Sequence, residues 1–317
     1  MKRVLALWIV LGWFSLAAPL LHAQKAHFTI GLQASSDMLP TLVAEHSGHF
    51  FQEGLATTLV VFRSGVQLMQ SLIGGDTQIA ICSAPEFIQA VGAGGKVKAL
   101  WGNSNLMPFA IVSRPQIRTV QELRGKRIAV SSPGSLTDFL TRYVFKNKGL
   151  DPSQVSFISI GGVPTRFAAL QSSAVDASLI SSAYFPKARE AGLNILFMVS
   201  ELIPEWPLSL VCTRDEMLRQ GESELRMFMR AYRQGVATAR KNADAGIRAL
   251  KKGLRFDDST AMEGYNVYVK SLPEDGHVAE KGMELLIEQM VESGTLKKKL
   301  SMSDLIDDRY QREAQQR

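Results

Sequence analysis

The stretch SGVQLMQSLIGGDTQIAICSAPEFIQAV, residues 64–91, decides how the rest of the chain is read. Ser64 and Gly65 open a run in which Val66, Met69, Leu72 and Ile73 recur at helical spacing, and Gly74-Gly75 stops it. Residues 78–82 then form a short run, apolar from Ile79 to Cys82 and bounded by turn residues, which reads as a buried strand. Ser83-Ala84-Pro85 opens the next helix, which reaches about Val91. Helix, strand and helix in so short a span are the signature of an α/β layer.

The pattern continues in both directions. Residues 28–32 and 56–62 read as strands, and Leu39, Leu42, Val43, His46 and Phe50 mark one helix that Gly54 closes. Residues 97–101 make a fourth strand. A second, similar series follows. It has a capped turn at 119–123, strands at 127–130, 155–160, 177–180 and 195–199, and helices opened by Ser135, by Gly162 with Pro164, and by Ser181-Ser182-Ala183-Tyr184. After Trp206-Pro207, residues 208–212 are strand-like. The remainder reads as helices only, at 222–252, 258–270 and 278–293. No Gly/Ser-rich or Pro-rich linker separates the two series. Two units must therefore share the chain by crossing over, near Val112-Ser113 and again near Glu205 to Ser209.

Composition agrees with two globular units. The chain has 317 residues, 46% of them hydrophobic and 21% charged, which is too much for one comfortable core. Lys2 and Arg3 precede an apolar run from Val4 to Leu21, and Leu21-His22-Ala23 offers a small residue before polar Gln24 and Lys25. That is the layout of a cleavable secretory signal over residues 1–23. The alternative is a membrane anchor, since the run approaches the ~20 residues that span a bilayer; Pro19 and the Leu-His-Ala ending favour cleavage. No Cys lies at the cut to carry a lipid, so a free periplasmic protein is expected. Cys82 and Cys212 are the two cysteines, each in an apolar run. They read as buried thiols, with a single bridge as the alternative. The formal net charge of +6 is scattered, apart from Lys297-Lys298-Lys299, and no basic stripe with interleaved aromatics supports nucleic-acid binding.

Four segments carry a family resemblance, in order: Ala44 to Leu55 (AEHSGHFFQEGL), Ser71 to Ala80 (SLIGGDTQIA), Thr119 to Val130 (TVQELRGKRIAV), and AALQ at 168–171 with AVDA at 174–177. Together they resemble the periplasmic substrate-binding proteins of ABC importers of the nitrate, sulfonate and taurine type, a group related to thiamin-pyrimidine enzymes. The resemblance implies an α/β protein with the type II periplasmic-binding-protein fold. Two α/β lobes are joined by two hinge crossings, a helical C-terminal region follows, and ligand is held between the lobes. The lobes are expected at 24–112 plus 208–317 and at 113–207. The thiamin-pyrimidine enzymes carry a Cys-rich motif, which two isolated cysteines do not reproduce.

In such sheets, ligands sit beyond the carboxyl ends of strands, where helix N-termini present free N–H groups. Small polar clusters fall at those places. In the first series they are Gln33, Ser35 and Asp37, then Arg63 and Ser64, then Cys82 and Ser83. In the second they are Ser131, Ser132 and Ser135, then Gly162 and Arg166, then Ser181 and Tyr184. Each serine is equally readable as an N-cap of its own helix, and Ser135 with Asp138 reads as a local cap. Arg63 and Arg166 are the charge partners for a carboxylate or sulfonate. Trp206, Phe62 and Tyr184 offer apolar walls, with core packing as the alternative, and Asn103 is placed to reach the cleft.

His46 and His49 stand at metal-ligand spacing without a third ligand nearby, and read as surface helix residues. No nucleophile elbow or phosphate-binding loop occurs. The expected protein is a monomer without cofactor or metal that captures a small organic anion and hands it to an ABC permease with its cytoplasmic ATPase. An enzyme on the same fold and a ligand carrier for a membrane receptor are the alternatives, and a neutral heterocycle is the rival ligand.

Overall fold

The computed structural model describes residues 26–203 and 206–316. The expected signal segment, and Glu205 of the second crossing, lie outside the described residues.

Strands are β1 (Ala26–Gln33), β2 (Leu55–Phe62), β3 (Ile79–Ser83), β4 (Val97–Ser104), β5 (Phe109–Ser113), β6 (Arg127–Val130), β7 (Ser156–Ser159), β8 (Ala177–Ser181), β9 (Asn194–Met198) and β10 (Ser209–Arg214). The helices before the first crossing are α1 (Leu39–His46), α2 (His49–Gln52), α3 (Gly65–Gly74) and α4 (Ala84–Gly92). Between the crossings lie α5 (Leu136–Asn147), α6 (Val163–Gln171) and α7 (Phe185–Glu190). After β10 come α8 (Asp215–Gln220), α9 (Glu222–Lys241), α10 (Ala243–Leu254), α11 (Asp258–Tyr268), α12 (Glu280–Glu292), α13 (Met302–Leu305) and α14 (Arg309–Gln315).

The strands form two five-stranded sheets, ordered β2-β1-β3-β10-β4 and β7-β6-β8-β5-β9. The two orders match position by position. In each, three parallel strands come first, and the fourth place is taken by an antiparallel strand. That fourth strand is the one that has just arrived from the other lobe. β10 enters the first sheet after the second crossing, and β5 enters the second sheet after the first. Central β3 and β5 are buried throughout, so they read as unbroken apolar runs with no alternation.

The first crossing departs from the sequence reading. β5 pairs with β8 and β9 in the second sheet, so the chain changes lobes at residues 105–108, before Val112-Ser113. The linker is short and half packed: Asn105 and Leu106 are half-buried, Met107 is fully buried and Pro108 is buried with it. The two crossings run side by side. The Trp206 N–H donates to the Asn105 carbonyl at 3.3 Å, and the Leu208 N–H to the Ser104 carbonyl at 2.8 Å.

Two expected helices are split. Gly48, at φ +74°, ends the turn after His46, so α1 and α2 are separate. Asn242 leaves the helical region and caps α10, its side chain accepting from the Ala245 N–H at 3.0 Å, which parts α9 from α10. The C-terminal helices pack mainly on the first lobe. α9 lies along α1 so closely that a side chain at Gly235 would meet the Pro40 carbonyl at 2.4 Å. Phe228 of α9 stacks on Phe28, on Phe50 and on Tyr232 of its own helix. The segment from Phe256 into α11 also reaches the second lobe, through the edge-on Tyr184–Phe256 contact and the Lys187–Asp257 ion pair at 2.7 Å. Among the described residues, no helix is long and apolar enough to cross a membrane.

Cys82 and Cys212 are free, buried thiols on neighbouring strands, with sulfurs 3.0 Å apart. Burial and the neighbouring sulfur push the Cys212 thiol well above its ordinary value.

Gly102 stands in close approach to backbone: a Cβ there would come within 2.2 Å of the His277 carbonyl oxygen. Backbone cannot yield there as a flexible side chain can. Gly102→Val is expected to cost about 1–3 kcal/mol by overpacking, read as a lower midpoint in urea unfolding. Gly74→Ala, whose new atom would find only Asp76 Oδ2 at 4.0 Å, should stay within about 0.5 kcal/mol of the parent.

Candidate functional site

The two sheets present the carboxyl ends of their parallel strands to one cavity. Its volume is about 50 Å³. From the first lobe it is lined by the end of β1 (Gln33) and the turn after it (Ala34, Ser35, Asp37), by Phe62 and Arg63 after β2, and by Ser83 and Glu86 at the start of α4. From the second lobe come Phe109, Ser131, the first two residues of α5 (Leu136, Thr137), and Gly162, Val163 and Arg166 at the start of α6. Leu208 closes it at the second crossing. Helix N-termini from both lobes thus meet over one small space, where their unpaired N–H groups and partial positive charge favour an anion.

Arg166 dominates the charge balance. It is 1% exposed, one of the largest fully buried side chains. Its Nε donates to Ser178 Oγ at 3.2 Å and its Nη2 to the Leu179 carbonyl at 3.1 Å, while Nη1 donates to the Gly161 carbonyl. Gly161 stands at φ +101°, a conformation a side chain would strain, and this aims its carbonyl at the guanidinium. Every one of these partners is neutral. Among the described residues no carboxylate forms an ion pair with Arg166. Burial lowers its pKa to about 10, which still leaves it charged at neutral pH.

Two acids share the cavity. Burial raises the Asp37 carboxyl above the usual range, against the hydroxyls of Ser35 and Ser209 that hold it down. Glu86 is 3% exposed, and burial pushes it up to about 7, with the Asp37 charge adding to the rise. Its Oε1 accepts the Leu136 N–H at 2.8 Å, a bond between α4 of one lobe and α5 of the other. Beside it, Gln89 Nε2 donates to the Gly134 carbonyl at 2.7 Å across the same seam.

Nine of the residues singled out in the sequence therefore line one space: Gln33, Ser35, Asp37, Phe62, Arg63, Ser83, Ser131, Gly162 and Arg166. The others are placed behind it. Ser64 caps α3, accepting from the Gln67 N–H at 3.3 Å, and Ser135 caps α5, accepting from the Asp138 N–H at 3.3 Å. Asp138 accepts from Gly134 and Arg142 and serves its own helix start. Cys82 sits inside the first sheet. The Ser132 hydroxyl is buried without a partner among the described residues. Ser181 lies 3.5 Å from the Tyr268 hydroxyl. Tyr184 is held between Phe167 and Phe256, and Trp206, 1% exposed, stacks on Phe139. Asn103 is a buried clamp. Its Nδ2 donates to the Asp37 carbonyl at 2.9 Å and to Ser209 Oγ at 2.7 Å, and its Oδ1 accepts from the Tyr232 hydroxyl. It holds the Asp37 turn, β10 and α9 in register. His49 bonds Thr238 of α9 at 3.0 Å, and no group of three metal-ligating side chains occurs among the described residues.

Glu86, Phe109, Leu136, Thr137, Val163 and Leu208 were not read from the sequence. Leu136 and Thr137 follow once Ser135 is accepted as a cap, because the residues after a cap carry the free N–H groups. Glu86 has no such signal, since a Glu in a helix's first turn is ordinary capping chemistry.

Three comparisons bear on this arrangement. No curated protein sequence matches the chain. Among solved structures, a protein of Bordetella bronchiseptica RB50 superposes with a TM-score of 0.80 at 19% identity, covering 92% of this chain and 98% of that one. The periplasmic nitrate-binding protein NrtA of Synechocystis PCC 6803 gives 0.78 at 13% identity, covering 92% and 89%. The alkanesulfonate-binding protein SsuA of Xanthomonas axonopodis pv. citri, bound to MOPS, gives 0.73 at 18% identity, covering 90% and 99%. The two-sheet architecture is thus the periplasmic-binding-protein fold. A family model described as NMT1/THI5 like matches residues 35–245. On that match, which spans more than half of its length, the chain belongs to the NMT1/THI5-like family.

Proposed function

We propose that this protein is a periplasmic solute-binding protein that captures a small organic anion, a sulfonate or carboxylate, between its lobes and delivers it to an ABC permease with its ATPase. One observation carries the reading. A guanidinium sealed from water in the cavity wall has only neutral partners, and a buried charge without a counter-charge is costly. An anion in the cavity supplies the missing charge and makes charge-assisted bonds to Arg166. Exposed Arg63, which forms no ion pair among the described residues, stands at the rim from the opposite lobe. The likeness to nitrate- and sulfonate-binding proteins supports the same class of ligand.

The cavity is small beside the ~300–1,000 Å³ of sites for drug-sized ligands. It suits an acid group with a few attached atoms. A larger solute enters by parting the α4–α5 seam, with the paired crossings as the hinge. Bridging both lobes, the ligand stabilises the closed form by its differential affinity for it. Binding without reaction is part of this reading, as are export through the N-terminal segment and action as a monomer. The enzyme alternative predicts turnover, so the solute must be recovered unchanged after binding.

Purified protein starting at Gln24 should be screened by thermal shift against sulfonates, carboxylates, nitrate and neutral heterocycles. A ligand at ~100 times its Kd is expected to add about 2.7 kcal/mol of stability. Arg166→Met should weaken that ligand by about 1.5–3 kcal/mol, measured by calorimetry on variants whose circular dichroism matches the parent. Stabilisation by neutral heterocycles alone would remove the anion from the proposal.

A further inference from the structure

An anion at Arg166 leaves Glu86 unexplained. Its Oε1 is used by the Leu136 N–H at 2.8 Å. Its carboxyl lies against the start of α3, where a Cβ on Gly65 would come within 2.4 Å of Oε1. Its Oε2 is buried and has no hydrogen-bond partner among the described residues. Glu86 and Arg166 line the same cavity of about 50 Å³, so one small solute touches both. A buried carboxylate oxygen without a donor calls for one, just as a buried guanidinium with only neutral acceptors calls for a counter-charge.

Building on the anion reading above, we propose that Glu86 reads a second group of the same solute: an N–H donor, amine or amide, carried a few bonds from the acid group held by Arg166. The solute is then a small amino acid-like or amide-bearing acid. The acid meets Arg166 and the start of α6 in one lobe. The donor meets Oε2 of Glu86 in the other, and the Glu86–Leu136 bond ties the two lobes over it. A simple alkyl acid satisfies only half of this site.

The protonation of Glu86 gives the proposal a sign. The charged groups around it are Asp37 after β1, Arg63 before α3, Arg166 on α6, and Asp138 on α5, which is paired with Arg142 at 2.6 Å. Burial and Asp37 push Glu86 up to about 7, so near neutral pH it is partly protonated. A donor at Oε2 favours the ionised form and expels the proton. Binding therefore releases protons below about pH 7, and affinity rises with pH by up to tenfold per unit there and levels off above it. An acid oxygen placed at Oε2 would need the proton kept, and binding would take protons up.

Calorimetry in two buffers of different ionisation heat, between pH 6 and 8, tests this. The probes are 3-aminopropane-1-sulfonate against butane-1-sulfonate, and 4-aminobutanoate against pentanoate. The amine-bearing member of a pair is expected to bind at least about tenfold more tightly and to release protons. In Glu86→Gln the advantage and the proton release should both disappear, while Arg166→Met weakens both members. Equal binding within the pairs, or proton uptake, would overturn the role of Glu86 and leave the anion reading standing. Binding of none of the four acids would overturn the anion reading, and this one with it. If Glu86→Gln does not fold, the sign of proton exchange in the parent protein decides alone.

Discussion

A guanidinium shut away from water requires an opposite charge. Around Arg166 the described chain offers only the oxygens of Gly161, Leu179 and Ser178. Those three bonds orient the group without neutralising it. The unbalanced charge sits where helix starts from two sheets meet, and so the electrostatics of the cleft point one way. The two acids beside it temper that field. Burial makes both reluctant to ionise, and neither pairs with the arginine.

The fold exists to bring those helix starts together. Each sheet places its parallel strands with their carboxyl ends towards the cleft, and each takes as its antiparallel fourth strand the one that follows a crossing. The return of the chain in β10 makes the first lobe out of two pieces of chain, while the second, β5 to β9, is one continuous piece. It also sets the two crossings side by side, bonded Trp206 to Asn105 and Leu208 to Ser104. Asn103, one residue before that junction, ties β10 and α9 to the turn that carries Asp37. The Asp37 turn of the cavity wall, a central strand and the paired crossings are therefore supported by one buried polar cluster.

Much of this was legible in the sequence. Strands such as 127–130 and helices opened by Ser64, Ser135 and Gly162 follow from periodicity, caps and glycines, because those signals are local. The first crossing was not legible. It is only four residues long, and buried Met107 and Pro108 run straight into apolar β5, so β5 was lost with it. The splits at Gly48 and Asn242 depend on single backbone turns within otherwise helical spacing. For the site, residues at strand ends and helix starts were found because topology places them there. Asn103, Trp206 and Tyr184 went behind the wall, since side-chain direction at a strand end depends on packing. Glu86 was hidden because a first-turn glutamate looks the same whether it faces water or a ligand.

The most direct test of the account is a crystal structure of the protein with an organic acid that stabilises it. The account predicts that acid between the two sheets, its oxygens within hydrogen-bonding distance of the Arg166 guanidinium and against the first residues of α6. Density for the acid elsewhere on the surface, with Arg166 still bonded only to neutral oxygens, would contradict it.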